Sequence, residues 1–143
     1  MLLGEYQHSL DEKGRIVLPS KFRTSVVDGC VVTKGQERCL FIFPPNQWAT
    51  EEERVNSLPR TDQRARRYAR SFFASADNQT PDKQGRIQVT QRLRDYAGLG
   101  KDVTIVGVSD RMEIWDTETW ERLQSEADEY FADIEEALSD YGI

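Results

Sequence analysis

With 143 residues, 38% hydrophobic and 31% charged, the chain has the bulk of one compact soluble domain, and no apolar run approaches the ~18 residues of a membrane span. Without a charged start leading into an apolar run, the cytoplasm is the expected compartment, with Cys30 and Cys39 as reduced packing thiols and a single histidine offering little to a zinc site. The net charge of −6 does not exclude a nucleic-acid partner, because residues 54–94 carry +7 and residues 110–143 carry −10, and binding phosphate needs only local positive potential.

Leu3 to His8 reads as an extended segment that runs into a turn at Asp11 to Gly14, and Arg15-Ile-Val-Leu follows as a strand. Pro19 to Arg23 opens a short helix in which Phe22 and Val26 share a face, and Gly29 ends it. Val31 to Thr33 and Leu40 to Phe43 form a hairpin, Pro44-Pro45 closes the unit, and Trp48 to Val55 is helical. Thr61 to Ser71 reads as a basic helix carrying Arg64, Arg66, Arg67 and Arg70. A strand near Phe73 to Ala76, a turn at Asp82 to Gly85, a strand over Arg86 to Val89, a helix over Gln91 to Ala97 and a hairpin through Val103 to Val108 and Met112 to Trp115 come next. Thr117 caps a final amphipathic helix, with Trp120, Leu123, Ala127, Tyr130, Phe131, Ile134 and Leu138 spaced at threes and fours. Its acidic surface either keeps the protein soluble or meets a basic patch on a neighbouring subunit.

The order of elements repeats because the sequence does. DEKGRIVLPSKFR (Asp11 to Arg23) returns as DKQGRIQVTQRLR (Asp82 to Arg94) with five identities: Asp11/Asp82, Gly14/Gly85, Arg15/Arg86, Ile16/Ile87 and Arg23/Arg94. One residue further out of step, the match continues through Gly35/Gly107, Ile42/Ile114, Phe43/Trp115 and Trp48/Trp120. Each unit is too small to bury a secure core alone, so the two are expected to fold together about a pseudo-twofold axis in an α+β, β-rich body.

The DxxGR turns are the sharpest candidates for chemistry. An Asp four residues before an Arg can hold the guanidinium by a charge-assisted hydrogen bond, either to lock the turn or to present a restrained fork to guanine O6 and N7. Arg15 is therefore the leading candidate base reader, with Lys13 and Lys21 as phosphate contacts, while Lys83 and Arg86 of the second turn support DNA binding or the assembly of subunits, and Asp11, Gly14, Asp82 and Gly85 orient the two turns. Lys21 and Arg23, with Arg92 and Arg94, either extend this positive face or lie along solvated helix surfaces. Phe41, Phe43, Trp48, Phe72, Phe73, Trp115 and Trp120 read as core and interface. His8 lies near Ser9 and Asp11, but neighbours in sequence do not make a triad, and neither a phosphate loop nor a calcium loop is present. No enzyme activity and no cofactor are expected.

The two DxxGR segments, the intervening ARRYARSFFASA and the closing MEIWDTETW, in this order and spacing, closely resemble the MraZ family of bacterial transcriptional regulators, which carry two SpoVT-AbrB domains. The resemblance covers Met1 to about Trp120. It implies a swapped-hairpin β-barrel of two SpoVT-AbrB-like halves over residues 5–47 and 76–119, connecting helices over 48–75 and an acidic C-terminal helix over 120–143. It also implies a ring-shaped homo-oligomer associated with the nucleoid, which binds repeated double-stranded promoter elements upstream of the division and cell-wall gene cluster, with repression as the outcome. The family's DxxxR signature falls on Asp11 and Arg15 and on Asp82 and Arg86. Gln84 stands where the first copy has Lys13, so the two turns are not equivalent in charge.

Overall fold

Alternation sets the first strand, β1 (Leu2–Ser9): Leu2 and Tyr6 turn toward the core while Leu3, Glu5 and Gln7 face outward. The computed structural model describes residues 1–143, and β1 is followed by β2 (Arg15–Val17), a 3-10 helix (Ser20–Val26), and the hairpin β3 (Cys30–Lys34) and β4 (Leu40–Phe43). Two helices, α1 (Pro45–Asn56) and α2 (Gln63–Ser75), lead to the second half. There β5 (Asp77–Gln79), β6 (Arg86–Gln88), α3 (Gln91–Ala97), β7 (Asp102–Ser109), β8 (Met112–Asp116), α4 (Thr117–Glu129) and α5 (Phe131–Ala137) complete the chain.

Six strands form one antiparallel sheet in the order β1-β7-β8-β4-β3-β5, open at β1 and β5, and β2 pairs with β6 as a separate ribbon. The halves are interleaved. β1 pairs with β7 over eight positions, β5 pairs with β3, and β4 meets β8 at the centre, so neither repeat owns a sheet. Two registers are symmetric under the repeat: Ile16 lies opposite its counterpart Ile87 in the ribbon, and Phe41 lies opposite its counterpart Glu113 in the sheet, flanked by Leu40↔Ile114 and Ile42↔Met112.

The sheet is covered on both faces. On one side Val32, Leu40, Ile42, Val103, Ile105, Met112 and Ile114 pack against Ile16 and Ile87 of the ribbon, Leu18 and Val89 just after its strands, Phe22 of the 3-10 helix and Leu93 of α3. On the other, Phe41, Phe43, Val106 and Trp115 pack against Val55, Phe72 and the half-buried Trp48, Phe73 and Trp120 of α1, α2 and α4. Phe41, Phe43, Phe72 and Trp115 are thus core, and Trp48, Phe73 and Trp120 lie partly buried against it. Each fully buried Ile or Leu adds on the order of 1.5–3 kcal/mol over leaving it exposed, and Ile16 and Ile87 rivet the ribbon to the core in this way. Cys30 and Cys39 are buried as free thiols. No helix is long and apolar enough to cross a membrane.

Three local expectations need correction. Residues 73–75 are the end of α2 and not a strand, because Ala69, Phe72 and Phe73, at helical spacing, all insert into the aromatic cluster; the strand begins at Asp77. Asp116, not Thr117, caps α4, accepting the Thr119 N–H on Oδ2 at 3.4 Å, while the Thr117 hydroxyl pairs with Thr104 at 3.0 Å. The acidic C-terminal helix is not continuous. It breaks at Tyr130 (φ −111°, ψ 17°), where the apolar stripe runs beyond the sheet that supports Trp120 and Leu123.

Candidate nucleic-acid interface

The two DxxGR turns are built alike, atom for atom. Asp11 Oδ1 accepts the backbone N–H groups of Lys13 and Arg15, each at 2.9 Å, and Asp11 Oδ2 accepts Arg15 Nε–H at 2.7 Å. Asp82 does the same for Gln84 and Arg86, at 2.9 Å for both backbone N–H groups and 2.8 Å for Arg86 Nε–H. Backbone bonds between residues 11 and 15 and between 82 and 86 close each loop, and Gly14 and Gly85 both sit at φ 76°, a conformation that side chains with a Cβ resist. The N–H donors, led by Arg15 for Asp11 and by Arg86 for Asp82, hold both carboxyl groups below the usual aspartate range.

Pairing of β2 with β6 brings the turns together. Ile16 and Ile87 point into the core, so period-two alternation puts Arg15, Val17, Arg86 and Gln88 on the opposite face of the ribbon. Arg15 opposes Gln88 and Arg86 opposes Val17, which makes the two arginines diagonal neighbours on one face, within reach of each other for long side chains. Their side chains are 34% and 28% exposed, so neither guanidinium is entombed. Asp occupies Nε in each case, and the two terminal nitrogens make no hydrogen bond to the protein. What remains is an end-on fork of two N–H donors, the pattern that matches guanine O6 and N7 or two phosphate oxygens.

Lys13, Lys21 and Lys83 are exposed and make no ion pair. Arg23 and Arg94 do something the sequence did not disclose. Arg23 donates from Nε to the Leu18 carbonyl at 3.1 Å and lies over Gly85 of the other repeat, and Arg94 lies over Gly14, so each packs on the partner turn. The signal was present in their identity across the repeat, but nothing in the spacing said that the contact crosses halves. The braces are unequal: Gln88 donates to the Lys13 carbonyl at 2.9 Å and is held in turn by Gln79 Oε1 at 2.8 Å, whereas Val17, the counterpart of Gln88, has no polar group to offer.

The basic helix is elsewhere. α2 packs on the sheet face opposite the ribbon; Arg64 is engaged by its cap Asp62 at 3.0 Å, and Arg66 bonds the Arg60 carbonyl at 2.8 Å. The positive segment of the sequence is therefore divided between two layers. His8 makes no hydrogen bond to Ser9 or Asp11 and instead sits half-buried in β1 opposite Val103, its pKa lowered by burial and then by Arg23. No group of acidic, histidine and cysteine side chains forms a metal cluster.

This doubled arrangement has close relatives. The family model "MraZ protein, putative antitoxin-like" matches twice, over residues 1–71 and 72–141. A protein of Natranaerobius thermophilus named transcriptional regulator MraZ is 46% identical over 143 residues, covering all of both chains. Proteins of the same name from Salinispora arenicola and Salinispora tropica are each 46% identical over 138 residues, 96% of this chain and 97% of theirs. Two matched repeats and end-to-end similarity mean that this chain belongs to the MraZ family.

Proposed function

We propose that the chain is a transcriptional regulator that reads double-stranded DNA with the β2/β6 ribbon, Arg15 and Arg86 reading bases while Lys13, Lys21 and Lys83 hold phosphates. Its relatives carry the name of transcriptional regulator. The observation that carries the reading is the pair of arginines on one ribbon face, each tethered through Nε with its outer fork unused by the protein. Asp11 and Asp82, with Gly14 and Gly85, are orienting groups; Arg23 secures the second turn and extends the face at its edge.

In this reading residues 5–47 and 76–119 are two SpoVT-AbrB-like halves joined by the helices of 48–75, with the acidic segment of 120–143 appended. The halves wrap into a swapped-hairpin barrel about a pseudo-twofold axis, a reading supported by the symmetric registers at Ile16/Ile87 and Phe41/Glu113. One acidic monomer would hold DNA weakly and lose grip as salt competes for phosphate. A ring of identical subunits on repeated promoter elements makes each later contact intramolecular and raises the total affinity. Occupancy upstream of the division and cell-wall gene cluster would repress it and keep the protein on the nucleoid in the cytoplasm.

The test is a gel-shift series with Arg15→Ala on repeated, single and scrambled sites, with native mass measured alongside. Lost preference for the repeated site at unchanged mass is expected. Unchanged affinity rejects Arg15 as a reader, and a wild-type protein indifferent to sequence at every salt concentration favours a scaffold or antitoxin-like interaction module.

A further inference from the structure

Two surfaces are left unpartnered, and they are complementary. Every residue from Asp128 to Ile143 is exposed, including large apolar side chains: Phe131 is 66% exposed, and Tyr130, Ile134, Leu138 and Tyr141 accompany it. Phe131 and Ile134 lie one turn apart on α5, where Asp133 and Glu135 border Ile134 on either side, and Tyr130, Leu138 and Tyr141 flank that short helix. From Glu126 onward the chain holds seven acidic residues and no Lys or Arg. So much exposed apolar surface on a highly charged arm is the pattern of a segment that expects cover.

The other surface is a groove of about 250 Å³ at the α1–α2 corner. Its floor is apolar, from Val55, Leu58, Pro59 and Ala69, and Arg66 and Arg70 stand on its wall. The lining of the groove holds three arginines, Arg60, Arg66 and Arg70, and no acidic residue, and Arg70 makes no bond to the protein. A nucleic-acid backbone would use the arginines and have no use for the floor. An acidic amphipathic helix uses both, with apolar residues in the groove and carboxylates on the rim.

We propose that the C-terminal arm, residues 130–143, docks into the arginine-walled groove between α1 and α2 of a second copy of this chain. The proposal deepens the reading as a homo-oligomer and rests on it, naming the contact that joins the subunits. A contact that pairs one patch with a different patch on the neighbour is head-to-tail, and repetition of it closes a ring when the rotation allows. The groove lies on the sheet face away from the ribbon, so the joint leaves the arginine fork of every subunit free.

The test reverses charge on either side in the full-length chain and reads native mass at low salt. Asp133→Lys/Glu135→Lys and Arg66→Glu/Arg70→Glu should each reduce the assembly to smaller species. Both pairs combined in one chain should restore it, and so should mixing the two variants in equal amounts, since each then offers the other a matching surface. Far-UV circular dichroism and melting identify a variant that fails to fold, and the combined chain still decides the question in that case. Recovery in the combined chain without recovery on mixing means that the arm folds back on its own groove, and the proposal fails. Unchanged mass for both variants also overturns it, as does weaker binding of random-sequence duplex DNA by Arg66→Glu/Arg70→Glu at unchanged mass, which would assign the groove to nucleic acid. A monomeric wild-type protein would sink the oligomer reading itself, whereas an oligomeric wild type with indifferent variants sinks only this joint.

Discussion

Arg23 of the first repeat lies across Gly85 of the second, so close that a Cβ at position 85 would come within 2.5 Å of Arg23 Nε. Gly14 is more tightly enclosed, because a Cβ there would meet the Val89 backbone oxygen at 2.8 Å as well as Arg94. Both glycines carry φ 76°, a conformation that costs a residue with a Cβ about 1–2 kcal/mol. Gly85→Ala should therefore lose at least that much stability in urea titration, and Arg23→Ala should relieve the part that comes from the side-chain contact. Gly14→Ala should lose more, since backbone cannot swing aside as a side chain can.

Acid should loosen the turns. Asp11 and Asp82 have folded pKa values depressed below their ordinary 3.8, so the stability they confer is complete above that value and is lost as pH falls through the lower, folded value. Asp11→Asn/Asp82→Asn keeps the oxygen that accepts the backbone N–H groups but removes the titrating charge. The wild-type melting temperature should drop below about pH 4 more steeply than that of the variant, as followed by thermal melts across pH.

The two thiols should be inert in the folded protein. Burial pushes Cys30 up to about 11 and Cys39 up to about 12, which leaves almost no thiolate at pH 8. A disulfide reagent such as Ellman's should release close to no chromophore from native protein and two equivalents after addition of denaturant. Rapid reaction of either cysteine in the folded state would contradict the packing described.

Phe72 should be the most costly truncation in the helical layer. It stacks between Trp48 and Tyr68, with centroids 5.7 Å away on both sides, and only 3% of it is exposed. Phe72→Ala should destabilise the chain by about 3–5 kcal/mol, read as a shift in the denaturation midpoint. The carbonyl of residue 72 still accepts the Thr33 hydroxyl, bonded at 2.7 Å, so the loss reports the ring and not the backbone.

Much of this architecture could be read from residue order. The DxxGR turns, both hairpins, α3 and the aromatic core follow from local chemistry: a short acceptor before an arginine, glycine where φ is positive, and apolar side chains at periods of two or of three and four. The strand expected near Phe73 failed because two adjacent phenylalanines suit a strand as well as a helix, and the aromatic cluster they enter decided the matter through tertiary packing. The placement of Arg23 over Gly85 was hidden for a different reason. A repeat tells which residues are alike, not whether each contacts its own copy or the other, and only the register of β2 against β6 answers that. Similarly, the summed charge of residues 54–94 suggested one basic surface, whereas the sheet puts α2 and the ribbon on opposite sides of itself.

The pairing of β1 with β7 bears on how the protein is made. Leu2 pairs with Ser109 and Ser9 with Asp102, so β1 leaves the ribosome well before its neighbour, which follows only after about a hundred more residues have been synthesised. Until then its hydrogen-bonding edge is bare, and nascent chains on one message are exposed to pairing with each other. Completion of the native sheet is therefore a late event, delayed until the second half has emerged.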